Sequence, residues 1–356
     1  MTETLLKVDV LLESILMTRR KHGSSGDIQF RSWLMQWMRD NKIPHRATSV
    51  GNIVATVGKS KTLFSCHVDT VHSMNESNKV QALAYDPAMG HLCLSSRNDS
   101  SCLGADDGAG IYVMLKMLLA KVPGAYVFHV GEECGCVGSR SMLGQESEWL
   151  KTFDRAIAFD RPDTYEVIVT QSGQECASID FGQRLADALN LTEGLDYKVS
   201  HKGVVTDTKM YAGVISECIN LGVGYFAQHS PDEYLDVEHL ERLVTAACRI
   251  DWEQLMPARV VPPPPKFEFK PFTPFTPKSA PKAVQRPDFF RDSADDDGFK
   301  PPHNDPEEVL SMTYEDILTM CEDDPDAAAE TIKYLLMELE AEKARCATLQ
   351  RLSKWQ

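Results

Sequence analysis

The chain has 356 residues, 43% of them hydrophobic and 25% charged, and its 37 Lys and Arg stand against 52 Asp and Glu for a formal charge of −15. That length suits one large domain or two, and the acidic balance argues against a nucleic-acid backbone or an anionic membrane as the main partner. No stretch is apolar for long enough to span a bilayer.

Residues 1–16 mix Glu3, Lys7, Asp9 and Glu13 with leucines, an amphipathic helix pattern and not the apolar core of a signal peptide. The ten Cys show no paired framework spacing and mostly fall in apolar segments, so reduced thiols and a cytoplasmic location are expected. From residue 1 to 256, strand and helix patterns alternate at close spacing. That alternation fits a three-layer α/β/α sandwich on a mixed, mostly parallel sheet. The composition then changes: residues 257–306 carry the run Pro262 to Pro265, the repeated Pro-Phe-Thr at 271–276 and the acidic Asp295 to Asp297. Such a segment buries too little apolar surface to offset its ordering entropy, and is expected to be a disordered linker. In the tail, 307–356, Thr313 with Asp316 resembles a capping box, and Asp326 would cap a helix from 327 to about 352. Ile332, Leu335, Leu339, Cys346 and Leu349 make a short seam, interrupted by Glu342, suited either to packing on its own chain or to self-association and partner docking.

Within the first 256 residues, five segments read as buried strands, each delivering a metal-type side chain just past its carboxyl end: 62–66 before His67 and Asp69, 103–105 before Asp106 and Asp107, 125–128 before Glu132 and Glu133, 155–159 before Asp160, and 218–222 before His229. In open α/β sheets, ligands bind outside the carboxyl ends of the strands, so dispersed residues can converge there. Two His with several carboxylates suit a divalent metal such as zinc. In His67-Val68-Asp69 alternate side chains share a face, so Asp69 is placed to accept from the far ring nitrogen of His67. Gly104 to Gly110 precedes a helical run at 111–120, which puts Asp106 and Asp107 at a helix amino terminus, where they serve equally well as caps. The adjacent acids Glu132 and Glu133 repel unless a cation or proton intervenes. Their side chains diverge, which lets one ligate metal while the other faces substrate as general base. His229 falls in a turn-rich loop before a helix at 237–248, His129 in a strand and His239 in a helix, whereas His72, His91 and His201 have no motif around them.

Taken in order, His-x-Asp, Gly-x-Asp-Asp, Glu-Glu-x-Gly, Asp and His resemble the co-catalytic zinc exopeptidase clan, which includes peptidase T, the aminoacylases and desuccinylases, and the zinc aminopeptidases. Gly51-Asn52, Thr206-Asp207 between Gly203 and Gly213, and the stretch His229 to Tyr234 extend the resemblance over about residues 5–250. The resemblance implies two divalent ions, zinc foremost with cobalt or manganese as alternatives. His67, Asp106 and Asp160 would hold one, and Asp106, Glu133 and His229 the other. It further implies Glu132 as general base, Asp69 orienting His67, and a cis peptide between Asp106 and Asp107. The reaction implied is amide hydrolysis in small peptides or N-acyl amino acids by activated water.

Carboxypeptidase- and aminoacylase-type relatives often insert a dimerisation domain after the residue matching Asp160, but only 68 residues, 161–228, separate it from His229 here. A helix at 181–191 and a strand at 197–201 are expected in that interval, as a minimal connection within one catalytic domain. The competing readings are a deacylase dedicated to one metabolite and a non-catalytic metal-binding scaffold acting through the tail. Glu132 weighs against the scaffold, which has no need of a base.

Overall fold

The computed structural model describes residues 8–75, 79–96 and 99–261. Beyond residue 261, the linker expected at 257–306 and the tail helix lie outside the described residues. In chain order the elements are α1 (Val10–Leu16), α2 (Ser25–Asp40), β1 (His45–Ala47), β2 (Ile53–Val57), β3 (Thr62–His67), β4 (Leu83–Asp86), β5 (His91–Leu94), α3 (Ala105–Leu119), β6 (Gly124–His129), α4 (Val137–Gln145), α5 (Ser147–Leu150), β7 (Arg155–Arg161), β8 (Glu166–Ile168), β9 (Thr170–Gln171), β10 (Gln174–Glu175), α6 (Ile179–Leu189), β11 (Lys198–Ser200), α7 (Asp207–Tyr211), β12 (Glu217–Gly222), β13 (Tyr225–Phe226), β14 (Tyr234–Asp236) and α8 (Val237–Arg249).

Eight strands form one sheet in the order β1-β2-β6-β3-β7-β12-β8-β11. Its centre, β6-β3-β7-β12, is parallel, while β1 and β2 add antiparallel on one side and β8 pairs antiparallel to β12 on the other. Parallel strands covered on both faces read as continuous apolar runs, and β3 and β6 are buried at every residue. Alternation then sorts the side chains between two cores. Phe64, Tyr126, Phe128, Ile157, Phe159 and Ile219 pack with α1, α3 and α8, and Leu63, Ala125, Val127, Ala156 and Cys218 pack with Met142, Leu150, Phe153 and Tyr211 on the other face. The result is the expected α/β/α sandwich on a mixed sheet.

Helix starts follow local chemistry. Ser24, Ser178 and Asp236 accept hydrogen bonds from Asp27, Phe181 and His239 backbone N–H groups at the heads of α2, α6 and α8, satisfying donors that the helices themselves leave open. In α8, Leu240, Leu243, Val244 and Ala247 repeat at helical spacing on the buried side. Helix α3 runs beneath the parallel strands so closely that a Cβ on Gly110 would lie 2.1 Å from the Phe159 carbonyl oxygen.

One expected strand is absent: Leu103 and Gly104 are irregular and Ala105 already opens α3. Gly104 has φ 74°, a left-handed conformation that breaks extended pairing, and its N–H goes to the Glu233 side chain instead of a ladder. The interval 161–228 holds no separate domain; β8 and β11 join the main sheet, α6 occupies 179–189 and the expected strand near 197–201 is β11. A second sheet, β13-β14-β5-β4, carries the hairpin whose connection bears His229. Among the described residues no helix is long and apolar enough to cross a membrane, and the described cysteines are free thiols.

Candidate metal centre

Four parallel strands deliver the site. His67 is the last residue of β3, Glu132 and Glu133 follow β6, Asp160 lies near the end of β7, and His229 follows β12 by way of β13. The His67 ring is oriented from its own strand: Nδ1 lies 3.0 Å from the Asp69 carbonyl oxygen. A carbonyl only accepts, so Nδ1 carries a proton, and Nε2 is the nitrogen that faces the site. This differs from the expected contact. The Asp69 carboxylate stands 3.7 Å from Nδ1 and accepts instead from the Glu132 N–H at 3.1 Å and the Glu133 N–H at 3.3 Å. Strand alternation put Asp69 on the correct face, but the neighbouring β6 turn offers backbone donors closer to its oxygens.

Asp106 sits where the two groups meet. One carboxylate oxygen is 3.0 Å from His67 Nε2 and the other 3.2 Å from His229 Nε2. On the first side Asp160 Oδ1 is 3.3 Å from His67 Nε2, and on the second Glu133 Oε1 is 2.8 Å from His229 Nε2. The peptide between Asp106 and Asp107 is cis. Ligand-type atoms of Asp106, Glu133 and His229 all lie within 4.8 Å of one another, as do those of His67, Asp107 and Asp160 and of His67, Glu132 and Glu133. Asp107 is otherwise engaged: its oxygens accept from the His67 N–H at 3.1 Å and the Gly110 N–H at 2.9 Å, bracing β3 against α3. Asp106, by contrast, turns one oxygen toward each His.

A ring of polar side chains holds these groups. Thr206 donates its hydroxyl to Asp160 Oδ2, and Asn220 clasps the Asp160 backbone, accepting from its N–H at 3.1 Å and donating to its carbonyl at 2.8 Å. Asn52 accepts from the Val130 N–H at 3.1 Å and donates to the Gly138 carbonyl at 2.9 Å, fixing both ends of the Glu132–Glu133 turn. Arg20, wholly buried, donates to the carbonyls of Val68 at 2.8 Å and Gly104 at 3.1 Å, tying the His67 loop to the Asp106 turn. Within the run Arg19-Arg20-Lys21 nothing local marks Arg20 as buried. Asn52 and Thr206 did fall inside the quoted motifs.

Five other histidines of the sequence serve elsewhere. His129 is buried against the Tyr211 hydroxyl at 3.3 Å and His239 against that of Tyr197 at 2.9 Å. His72 bonds Thr70, Gln81 and the Cys102 carbonyl, His91 stacks on Tyr234, and His201 meets Thr170.

Electrostatically the centre is a buried excess of carboxylates. Burial and the charge of Asp160 push the Glu132 carboxyl up to about 9, and burial raises Asp160 and brings Asp207 to about 8. Burial also opposes charge on His67, but Asp160 and Asp106 overcome it and hold its ring protonated well above the ordinary imidazole range. Hydrogen bonds to Asp106 and Glu133 raise His229 to about 10. Hydrogen bonds from His229 and His67 overcome burial at Asp106 and hold its carboxyl below the usual range. Positive charge is thus drawn to the two places where the His and carboxylate atoms converge. A donor set of imidazole nitrogen and carboxylate oxygen fits zinc at both.

No protein-family model and no curated protein matches the chain. Solved structures do. Aminopeptidase PepT from Bacillus cereus and a tripeptidase from Staphylococcus aureus each superpose with a TM-score of 0.53 at 15% identity, covering 67% of this chain and 95% of theirs. A Pyrococcus horikoshii TET1 peptidase, described as assembling into a tetrahedron or a large octahedral shell, matches at 15% identity with a TM-score of 0.50 over 68% of this chain and 98% of its own. At such identity the likeness is one of architecture, and the chain shares the fold of these peptidase structures.

Proposed function

We propose that the protein is a metal-dependent exopeptidase or related amidohydrolase, cleaving amide bonds of small peptides or N-acyl amino acids with two divalent ions and Glu132 as general base. The observation that carries this reading is the division of the Asp106 carboxylate between His67 and His229. His67, Asp106 and Asp160 would hold one ion and Asp106, Glu133 and His229 the other. When bound, such ions lower the pKa of water from about 15.7 toward 7 and polarise a carbonyl oxygen.

The chain's own residues do the rest. Asp69 anchors the backbone of Glu132 and Glu133, so the base and its neighbouring ligand are set by one carboxylate. Glu132 takes the proton of the attacking water and returns it to the leaving amine. Its carboxyl, held up by burial and by Asp160, falls back toward the range of a working base once cationic charge lies nearby. The aminopeptidase and tripeptidase likenesses favour peptides as substrates. The free thiols suit a reducing, cytoplasmic setting, and self-association through residues 327–352 remains part of the proposal.

The test is zinc content together with hydrolysis of a panel of dipeptides, aminoacyl amides and N-acyl amino acids, before and after chelation. Two zinc per chain and chelator-sensitive cleavage are expected. Glu132→Gln should keep the metal and lower turnover by about 10²–10⁴-fold. A chain that binds zinc but hydrolyses none of the panel would favour the scaffold reading.

A further inference from the structure

Glu233 belongs to neither ligand trio, yet it is 1% exposed and its carboxylate reaches into the centre. Oε2 accepts from the Gly104 N–H at 2.9 Å and Oε1 from the N–H of Asp106 itself at 3.0 Å. It stands four residues beyond His229, in the connection between β13 and β14. That connection has little else to fix it. Ala227 and His229 adopt left-handed φ values of 52° and 61°, the His229 side chain is 47% exposed, and the bonds of Ser230 to Ala227 and Asp232 stay within the loop. Among the described residues, the hydrogen bonds that leave residues 227–233 for distant parts of the chain are made by the His229 ring and the Glu233 carboxylate.

We infer that Glu233 is a positioning residue: its buried carboxylate latches the His229 loop onto the Asp106 backbone and so sets the second ligand trio without itself touching an ion. This rests on the two-ion reading above. A buried carboxylate is a costly way to fill space, and an apolar side chain would serve if packing were the requirement. Two acceptor oxygens directed at N–H groups two residues apart achieve something packing cannot, which is register between the loop and the turn. The same turn is held from its other side by Arg20 at the Gly104 carbonyl, so the approach to Asp106 is fixed through both backbone N–H groups and a backbone carbonyl.

The experiment is zinc titration calorimetry of the metal-free full-length chain, with thermal unfolding of the same metal-free samples. Five proteins are compared: wild type, His229→Ala, Glu233→Gln, Glu233→Asp and the double variant of His229→Ala with Glu233→Gln. Glu233→Gln keeps the volume but turns an NH2 group toward one of the two N–H donors. Wild type should bind two ions. Glu233→Gln should retain the first affinity and weaken the second by about 10–100-fold, and on the His229→Ala background it should add no further loss. Glu233→Asp, which keeps the charge but cannot span both donors, should show the same selective loss and guards against a glutamine variant that fails to fold. Unchanged affinity for both ions in both Glu233 variants overturns the latch. Equal weakening of both ions with a lowered unfolding temperature also overturns it, in favour of a general structural role. A wild type that binds fewer than two ions defeats the two-ion site itself, and the latch with it.

Discussion

Gly110→Ala tests whether the centre depends on the close approach of α3 to β7. An added Cβ would stand 2.1 Å from the Phe159 carbonyl oxygen and 2.4 Å from Asp107 Oδ1. Carbon and oxygen need about 3.3 Å, and the first obstacle is main chain, so helix and strand must part by about 1 Å. Overpacking of this kind costs about 1–3 kcal/mol, while replacing a helical Gly by Ala returns up to about 1 kcal/mol. The net loss, about 1–2 kcal/mol, corresponds to a fall of about 2–8 °C in Tm for a domain of this size. Phe159 precedes Asp160, and Asp107 follows Asp106, so the same movement spreads ligands that must sit within about 0.2 Å of their places. Zinc affinity should therefore fall along with Tm. Gly144→Ala is the control, because a Cβ there meets nothing within 4 Å. Thermal unfolding without metal and zinc titration of the three proteins give the answer. Gly110→Ala with wild-type Tm and zinc affinity would refute the packing argument.

Two further outcomes follow from the geometry. In Asp69→Asn the backbone carbonyl that orients His67 survives, whereas an amide NH2 replaces one of the acceptors for the Glu132 and Glu133 N–H groups; turnover should fall with the ion at His67 retained, and loss of that ion would restore the orienting role to the carboxylate. Zinc uptake at pH 7 should release about one proton per imidazole, because His67 and His229 are both held protonated above their ordinary range in the metal-free protein. Affinity should accordingly weaken as pH falls. Calorimetry in two buffers of different ionisation enthalpy measures the release, and a value of zero would contradict the electrostatic reading.

The parts of this fold legible in the sequence are those governed by short-range pattern. β3, β6, β7 and β12 announce themselves as apolar runs ending in polar ligand-type residues, and α8 by its helical spacing. Leu103-Gly104-Ala105 misleads because three small or apolar residues before Asp106 resemble the end of a strand, while the left-handed Gly104 is set by a carboxylate 129 residues away. Glu133, Asp160 and both His came forward because they lie in or after strands that read as apolar runs, whereas Asp106 lies at the start of α3. Arg20, Asn220 and Glu233 did not come forward, since their partners are backbone groups supplied by remote segments. Asp69 lies between these cases: its face was readable, whereas its partner depends on how β3 and β6 are paired.

The order of strands in the sheet has a consequence for the folding chain. The five ligand-type residues are dispersed between 67 and 229, and all but Asp106 lie at or beyond the ends of strands that must first assemble as β6-β3-β7-β12, by parallel pairings that demand long crossovers and form slowly. Until that sheet is complete the unfolded chain offers an ion only scattered single donors. An ion that recognises the finished arrangement alone stabilises it by mass action, about 2.7 kcal/mol at a hundredfold excess over its Kd. Metal supply would then set the lifetime of the protein as well as its activity.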